Sequence, residues 1–214
     1  MCANSSEEQN TDIVSCAWET SDPEYMAYHD EHWGRPVLDS QELFAKLCLD
    51  GQQAGLSWLT ILRKQANYER AFHQFEPQKI VQMTDDDVTR LMQDKGIVRN
   101  KLKIKSIIKN AHAFIEIEKN IPFNAYLWQF TNFKIIQNQC KSSAEVAITT
   151  SESDAMAKAL KKAGFSFVGS TICYAFMQAV GMVNDHLVSC PSYSRLANER
   201  SEFEKRLSAL QSIC

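Results

Sequence analysis

No stretch of this chain approaches the roughly 18 uninterrupted apolar residues of a membrane span, so no membrane partner is expected. Its first twelve residues are polar and acidic and lack the apolar core of a signal peptide. There is no basic excess either. Twenty-three Lys and Arg against 26 Asp and Glu leave a net charge of -3, which argues against a protein that wraps nucleic acid over its whole surface. The seven cysteines are odd in number and scattered, without the spacing of a disulfide framework, and this points to the cytoplasm. Internal repeats and low-complexity tracts are absent. Strand signals are scarce, since only residues 165–168 alternate persuasively and four residues cannot found a sheet.

What the chain does contain is helix. With 44% apolar residues in 214, it can bury a substantial core as one domain. Residues 39–51 open with Asp39 and Glu42 at capping-box spacing and repeat Leu43, Phe44, Leu47 and Cys48 on one face. Further helices are predicted over 57–72, 84–94, 100–118, 151–164 (capped by Ser151 with Asp154), 170–181 and 193–212. Residues 131–150 form the largest loop territory. The fold class expected is all-α, a bundle of many helices.

Three constellations carry chemistry. The first is the run Gln52-Gln53-Ala54-Gly55-Leu56-Ser57-Trp58 just after Asp50. A carboxylate, two amides, a flexible pair and a tryptophan pack a core poorly and suit a flat ligand with polar edges. The second is aromatic: Trp18, Trp33 and Trp58 fall early, with Tyr25 and Tyr28 among them. Core anchors are the plain reading of any one ring, but the residues between them are polar, and together they could stack on a base or a cationic heterocycle. The third is the turn around Gly96 between two helices, flanked by Lys95, Arg99, Lys101 and Lys103. A glycine lets the backbone approach closely, the next helix offers N–H groups to an anion, and lysines neutralise phosphate. A helix-hairpin-helix holds DNA backbone in this way, although a solvated helix face explains the same charges.

Metal ligands are less clear from spacing. His186 and Cys190 are four residues apart, which on a helical turn places them on one side. Cys16 and His29 lie near the other end and would complete a Cys₂His₂ set for zinc. They are not a close pair, and His32, Cys48 and Cys173 compete with them.

Taken in order, Cys16-Ala17-Trp18, Asp22-Pro23, Trp33-Gly34, the 51–58 run, Phe72-His73-Gln74-Phe75, Gly96-Ile97, Asn184-Asp185-His186 and Cys190 resemble the DNA-3-methyladenine glycosylase I (Tag) family of the helix-hairpin-helix superfamily. The resemblance covers about residues 16–193. It leaves a polar extension at 1–15 and an extra helical tail at 194–214, whose role is either packing on the bundle or dimerisation. It implies one structural zinc on Cys16, His29, His186 and Cys190, clipping the N-terminal segment to the C-terminal core. It implies a base pocket of Trp18, Tyr25, Tyr28, Trp33 and Trp58, a duplex wedge at Leu56, and DNA contacts at Gly96, Arg99, Lys101 and Lys103. The expected partner is double-stranded DNA containing alkylated bases, with no obligate protein partner. The expected activity is hydrolytic removal of 3-methyladenine without strand cleavage. One departure stands out: the family's usual glutamate at the recognition position is Asp50 here. That shortening raises a second possibility, a protein that binds damage without turnover; a zinc-stapled binding module for another planar cation is a third.

Overall fold

In a computed structural model, Cys16, Trp18 and residues 21–212 are described. Helices dominate: α1 (Pro23–Glu31), α2 (Ser40–Gln53), α3 (Trp58–Leu62), α4 (Gln65–Ala71), α5 (Pro77–Ile80), α6 (Asp85–Leu91), α7 (Lys101–Glu118), α8 (Phe123–Trp128), α9 (Ser151–Lys162), α10 (Ser170–Ala179) and α11 (Pro191–Gln211). The all-α class is borne out.

The centre is α2. Its stripe of Leu43, Phe44, Leu47 and Cys48 is almost wholly buried and faces α7 and α10. Each such apolar side chain contributes about 1.5–3 kcal/mol on burial. The helix begins where it does because the Asp39 carboxylate accepts from the Glu42 amide at 2.8 Å. Helix α7 turns Ile104, Ile107, Ala111 and Phe114 inward, and Asn100 caps it by accepting from the Leu102 and Lys103 amides.

Local departures from the sequence reading have physical causes. The helix expected over 57–72 is two, α3 and α4, offset at Arg63–Lys64, where no Gly or Pro marks the break. The cap of α9 is Thr150, in a reciprocal box with Ser153, rather than Ser151 with Asp154. Residues 165–168 form no strand, because Phe167 takes a left-handed φ of 58° that a ladder cannot accommodate. The strand pairing among the described residues is instead a two-residue parallel pair, Ile136–Gln137 with Val183–Asn184, which lies within the expected loop territory on one side. Just before it, Gly181 has φ +70°, and a Cβ there would fall 2.4 Å from the Pro36 nitrogen. That close crossing lays residues 34–36, just after α1, against the segment that leads to His186 and Cys190.

Candidate functional site: a cysteine–histidine cluster beside a ring-lined pocket

The crossing at Gly181 delivers His186 and Cys190 to Cys16 and His29. All four are buried, and their ligand atoms lie within 4.8 Å of one another. The segment carrying His186 and Cys190 is an irregular turn, not the helical turn their spacing suggested. They converge nonetheless, with His186 Nδ1 at 3.6 Å from Cys190 Sγ and 3.2 Å from Cys16 Sγ, and His29 Nε2 at 3.8 Å from Cys190 Sγ. A small tetrahedral ion bound by two thiolates and two imidazoles separates its ligands by roughly 3.4–3.8 Å, so the set fits a metal ion. The remaining ring nitrogens are oriented as metal-bound histidines require. His29 Nδ1 meets Asp30 at 2.7 Å and His186 Nε2 meets the Trp33 carbonyl at 3.2 Å, while the Leu187 amide donates to Cys16 Sγ at 3.3 Å. Of the two thiols, Cys190 is driven far down by its hydrogen bond with Cys16, aided by both histidines, and Cys16 is driven up by the same bond and by burial. The competing candidates stand elsewhere: Cys48 and Cys173 lie in the apolar core and His32 is exposed.

The cluster holds one wall of a cavity of about 340 Å³, which Trp18, Tyr25, Tyr28, Trp33, Trp58 and Asp50 all line. Every ring predicted for the pocket is therefore present in it. Helix α1, started by the Asp22 carboxylate, presents Tyr25 and Tyr28 one turn apart. Trp18 lies 4.6 Å from the Tyr25 ring, 5.0 Å from Trp33 and 6.1 Å from Tyr28, and Tyr28 is 5.4 Å from Trp58. Trp33 in turn packs edge-on against His186 at 4.6 Å, so the cysteine–histidine cluster and the pocket rings are in direct contact.

Asp50, on the last turn of α2, is 1% exposed. Burial raises its carboxyl above the ordinary range, and the Lys46 ammonium pulls it back. Lys46 bonds Asp50 Oδ1 and stands 3.9 Å from the Trp58 ring centroid. Asp50 Oδ2 and Trp58 Nε1 are buried with no hydrogen-bond partner in the protein, an acceptor and a donor left for something else. Lys46 was not singled out in the sequence, although its four-residue spacing from Asp50 on an amphipathic helix is a readable signal. Asp185 also lines the cavity. It accepts from Tyr174 Oη at 2.7 Å, Gln178 Nε2 at 2.8 Å and Asn138 Nδ2 at 2.6 Å. With both oxygens engaged, it braces the segment leading into His186.

The turn between α6 and α7 sits behind the 52–58 run. Gly96 is gripped by α4: Asn67 Nδ2 donates to its carbonyl at 3.2 Å, and a Cβ would come within 2.9 Å of Asn67 Cγ. Arg99 and Lys101 are exposed. Lys103 is not: at 6% exposure, its ammonium donates to the carbonyls of Gln52 and Ala54, each at 2.7 Å. Burial lowers its pKa. Lys103 therefore faces the protein rather than a phosphate, and the first amides of α7 that were expected to meet an anion are partly taken by Asn100. Leu56 is exposed at the tip of the run, beyond the α2 terminus.

A buried cluster able to hold a metal ion, beside an aromatic pocket with one free carboxylate oxygen and a helix-hairpin-helix, is the arrangement of a helical DNA glycosylase, suited to a flat, cation-like heterocycle. The methyladenine glycosylase family matches residues 18–193, and the chain belongs to that family. It is 52% identical over 179 residues to DNA-3-methyladenine glycosylase 1 of Escherichia coli K12, spanning 83% of this chain and 96% of that one. It is 49% identical to DNA-3-methyladenine glycosylase of Haemophilus influenzae, over 82% and 96%. Among solved structures, 3-methyladenine DNA glycosylase I (TAG) superposes with a TM-score of 0.82 at 50% identity, covering 83% of this chain and 98% of that one. The Staphylococcus aureus enzyme, described for 3-methyladenine recognition, gives 0.82 at 40% identity, over 85% and 97%.

Proposed function

We propose that this chain, a 3-methyladenine DNA glycosylase of base-excision repair, reads the base with Asp50 and holds it among Trp18, Tyr25, Tyr28, Trp33 and Trp58. The observation that carries this reading is the unpartnered Asp50 Oδ2 in a cavity walled by those five rings. N3-methylation makes adenine cationic, and a π face favours a cation by roughly 0.5–2 kcal/mol per good contact. The carboxylate adds electrostatic attraction and accepts from the adenine edge. A side chain one methylene shorter than glutamate reaches less far, so a water can bridge it to the base.

The substrate is double-stranded DNA with the damaged nucleotide turned out of the stack, a cost of a few kcal/mol that damage lowers. Leu56 fills the gap, and Arg99 and Lys101, with the Gly96 turn, hold the backbone. Water attacks C1′ as the C1′–N bond breaks; the bonding pair leaves with the now neutral base, and the water's proton goes to solvent. A cationic leaving group needs little acid catalysis, so the site needs no lysine nucleophile, and the product is an abasic strand.

Cys16, His29, His186 and Cys190 would hold one structural zinc, which clips residues before α1 to the segment after β2 (Val183–Asn184). The two-thiolate, two-imidazole donor set and its oriented outer ligands support zinc over hard cations. In this reading, residues 194–214 are an addition to a glycosylase domain of 16–193. Leu196 and Leu207, both buried, pack it on the bundle.

The test is release of free 3-methyladenine from methylated duplex DNA, with the product identified by mass. Turnover with 7-methylguanine left in place is expected. Binding of methylated DNA by metal-replete protein without base release would refute the catalytic reading.

A further inference from the structure

The base pocket already contains a cation. Lys46 lies one helical turn before Asp50, bonds its Oδ1, and places its ammonium 3.9 Å from the Trp58 centroid. A carboxylate and a π face are the two features that would favour a methylated, cationic purine over a neutral one. The protein's own ammonium occupies both. A base cation entering beside it would meet a like charge in a poorly hydrated space.

There is somewhere for Lys46 to go. Lys46, Tyr28 and Trp58 line not only the base cavity but a second one, of about 730 Å³. Glu42 lines this second cavity, one turn back along α2. Glu42, Lys46 and Asp50 thus fall at i, i+4 and i+8 on one helix face, with a carboxylate a turn away from the lysine on either side. The lysine's flexible four-carbon stem and three donors suit exchange between the two, where a rigid guanidinium would not. Phe203 and Arg206 of α11 also line the second cavity.

We propose that Lys46 is a displaceable internal counter-ion that sets the pocket's preference for cationic over neutral bases. In the empty pocket it neutralises Asp50 and covers Trp58. When a methylated base takes those contacts, its ammonium turns into the second cavity and pairs with Glu42. A neutral purine leaves it in place. The inference rests on the 3-methyladenine reading of the pocket. Lys46 acts on specificity, not on the bond that breaks.

Full-length protein is titrated calorimetrically with two probes, 3,9-dimethyladeninium, a fixed cation, and neutral 9-methyladenine. The readout is the ratio of their dissociation constants. Glu42→Gln, on an exposed position, is expected to weaken cation binding about fivefold, the worth of a partly solvated ion pair, and to leave the neutral probe within about twofold. Lys46→Met is expected to shift the ratio about tenfold or more toward the cation. Both shifts are required: a ratio unmoved in either variant, or one that falls in Lys46→Met, overturns the proposal. Should Lys46→Met fail to fold, Glu42→Gln alone decides. Native protein that binds neither probe and releases no 3-methyladenine overturns the base-pocket reading along with this one. Normal release with unmoved ratios overturns only the role of Lys46.

Discussion

Lys103 and Lys101 lie two residues apart on α7, yet the structure gives them opposite work, and substituting each by methionine separates the two. The Lys103 ammonium is the hydrogen-bond donor for two backbone carbonyls, Gln52 and Ala54, at the end of α2. Those groups lose their axial partners where a helix stops, and a cation there also favours the helix dipole. A hydrogen bond to a charged donor is worth about 1.5–3 kcal/mol, and a buried carbonyl left unsatisfied pays its desolvation in full. Two such bonds, less the gain from no longer desolvating an ammonium, leave a loss of about 3 kcal/mol. For a chain of this size that lowers the melting midpoint by roughly 6–12 °C. The 52–58 run, which carries Leu56 and Trp58, is what loosens. Lys101 is exposed, so Lys101→Met is expected to leave the midpoint within about 2 °C, to weaken DNA binding, and to reduce the slope of log K against log salt by about one. Thermal melts, with fluorescence anisotropy on duplex DNA between low and moderate salt, measure both. If Lys103→Met melts like the native protein and lowers the salt slope instead, the ammonium reaches phosphate and the assignment is wrong.

Asp50→Asn removes the charge while keeping the shape; kcat/KM for 3-methyladenine release is expected to fall about 10–100-fold, whereas Asp50→Glu should equal or exceed the native rate. Unchanged excision in Asp50→Asn would remove the carboxylate from recognition. Stripping metal with a chelator, or substituting Cys190→Ser, is expected to take bound zinc from one ion per chain to none and to cost at least about 3 kcal/mol of stability, checked by elemental analysis and melting. A native-like melt in zinc-free protein would refute a structural clip. The capping carboxylate of Asp87 is held below the usual range, chiefly by the Thr84 amide and then by Arg90. Because its folded pKa is lowered, its contribution is present above the unfolded carboxylate pKa and is lost as pH falls through the lowered value. Asp87→Ala should therefore cost about 0.5 kcal/mol at pH 7 and progressively less as pH falls through the lowered value, in urea melts. An equal cost throughout that fall in pH would refute the ionic cap.

Long helices with one clean stripe were legible, as α2 and α7 show, because burial on a single face leaves a 3.6-residue period in the sequence. Short ones were not. Helix α1, nine residues long, turns Tyr25, Tyr28 and His29 inward at i, i+3 and i+4, and polar-tipped rings that wall a pocket leave a weaker hydrophobic period than aliphatic side chains facing a core. Helices α5 and α8, of 4 and 6 residues, are too brief to show one. The break between α3 and α4 carries no punctuating residue and is imposed by the fold around it. The site divides in the same way. The rings and Asp50 could be picked out as a group, since aromatic density beside polar residues is local information. The ligand set could not be fixed by spacing, because Cys16 and His29 are brought to His186 and Cys190 by a chain crossing at Gly181. Lys103 was misread for the complementary reason: composition reports a charge but not the direction in which its side chain turns.

The pocket is a joint between two separately fastened halves. On one side, α1 and Trp33 are held by the cluster of cysteines and histidines, through the contact of Trp33 with His186 and the bond of its carbonyl to His186 Nε2. On the other, Asp50 and Trp58 belong to the α2–α3 segment, which is tied to the hairpin through Lys103 and through Gln52. The Gln52 amide donates to the Lys103 carbonyl at 3.1 Å and accepts from Tyr68, whose hydroxyl in turn accepts from the Val98 amide at 3.1 Å. Buried polar chains of this kind are favourable only when every member is satisfied, so they fix one geometry and resist gradual change. The same physics explains why the two buried atoms left unsatisfied nearby, Asp50 Oδ2 and Trp58 Nε1, are informative. In a region where the fold otherwise pairs its polar groups with care, a free acceptor and a free donor on the same α2–α3 wall cost stability that a ligand can return. A hairpin anchored to DNA backbone would hold one half, a metal ion in the cluster would hold the other, and the base would lie between them, hydrogen-bonded to the first and stacked on the rings of the second.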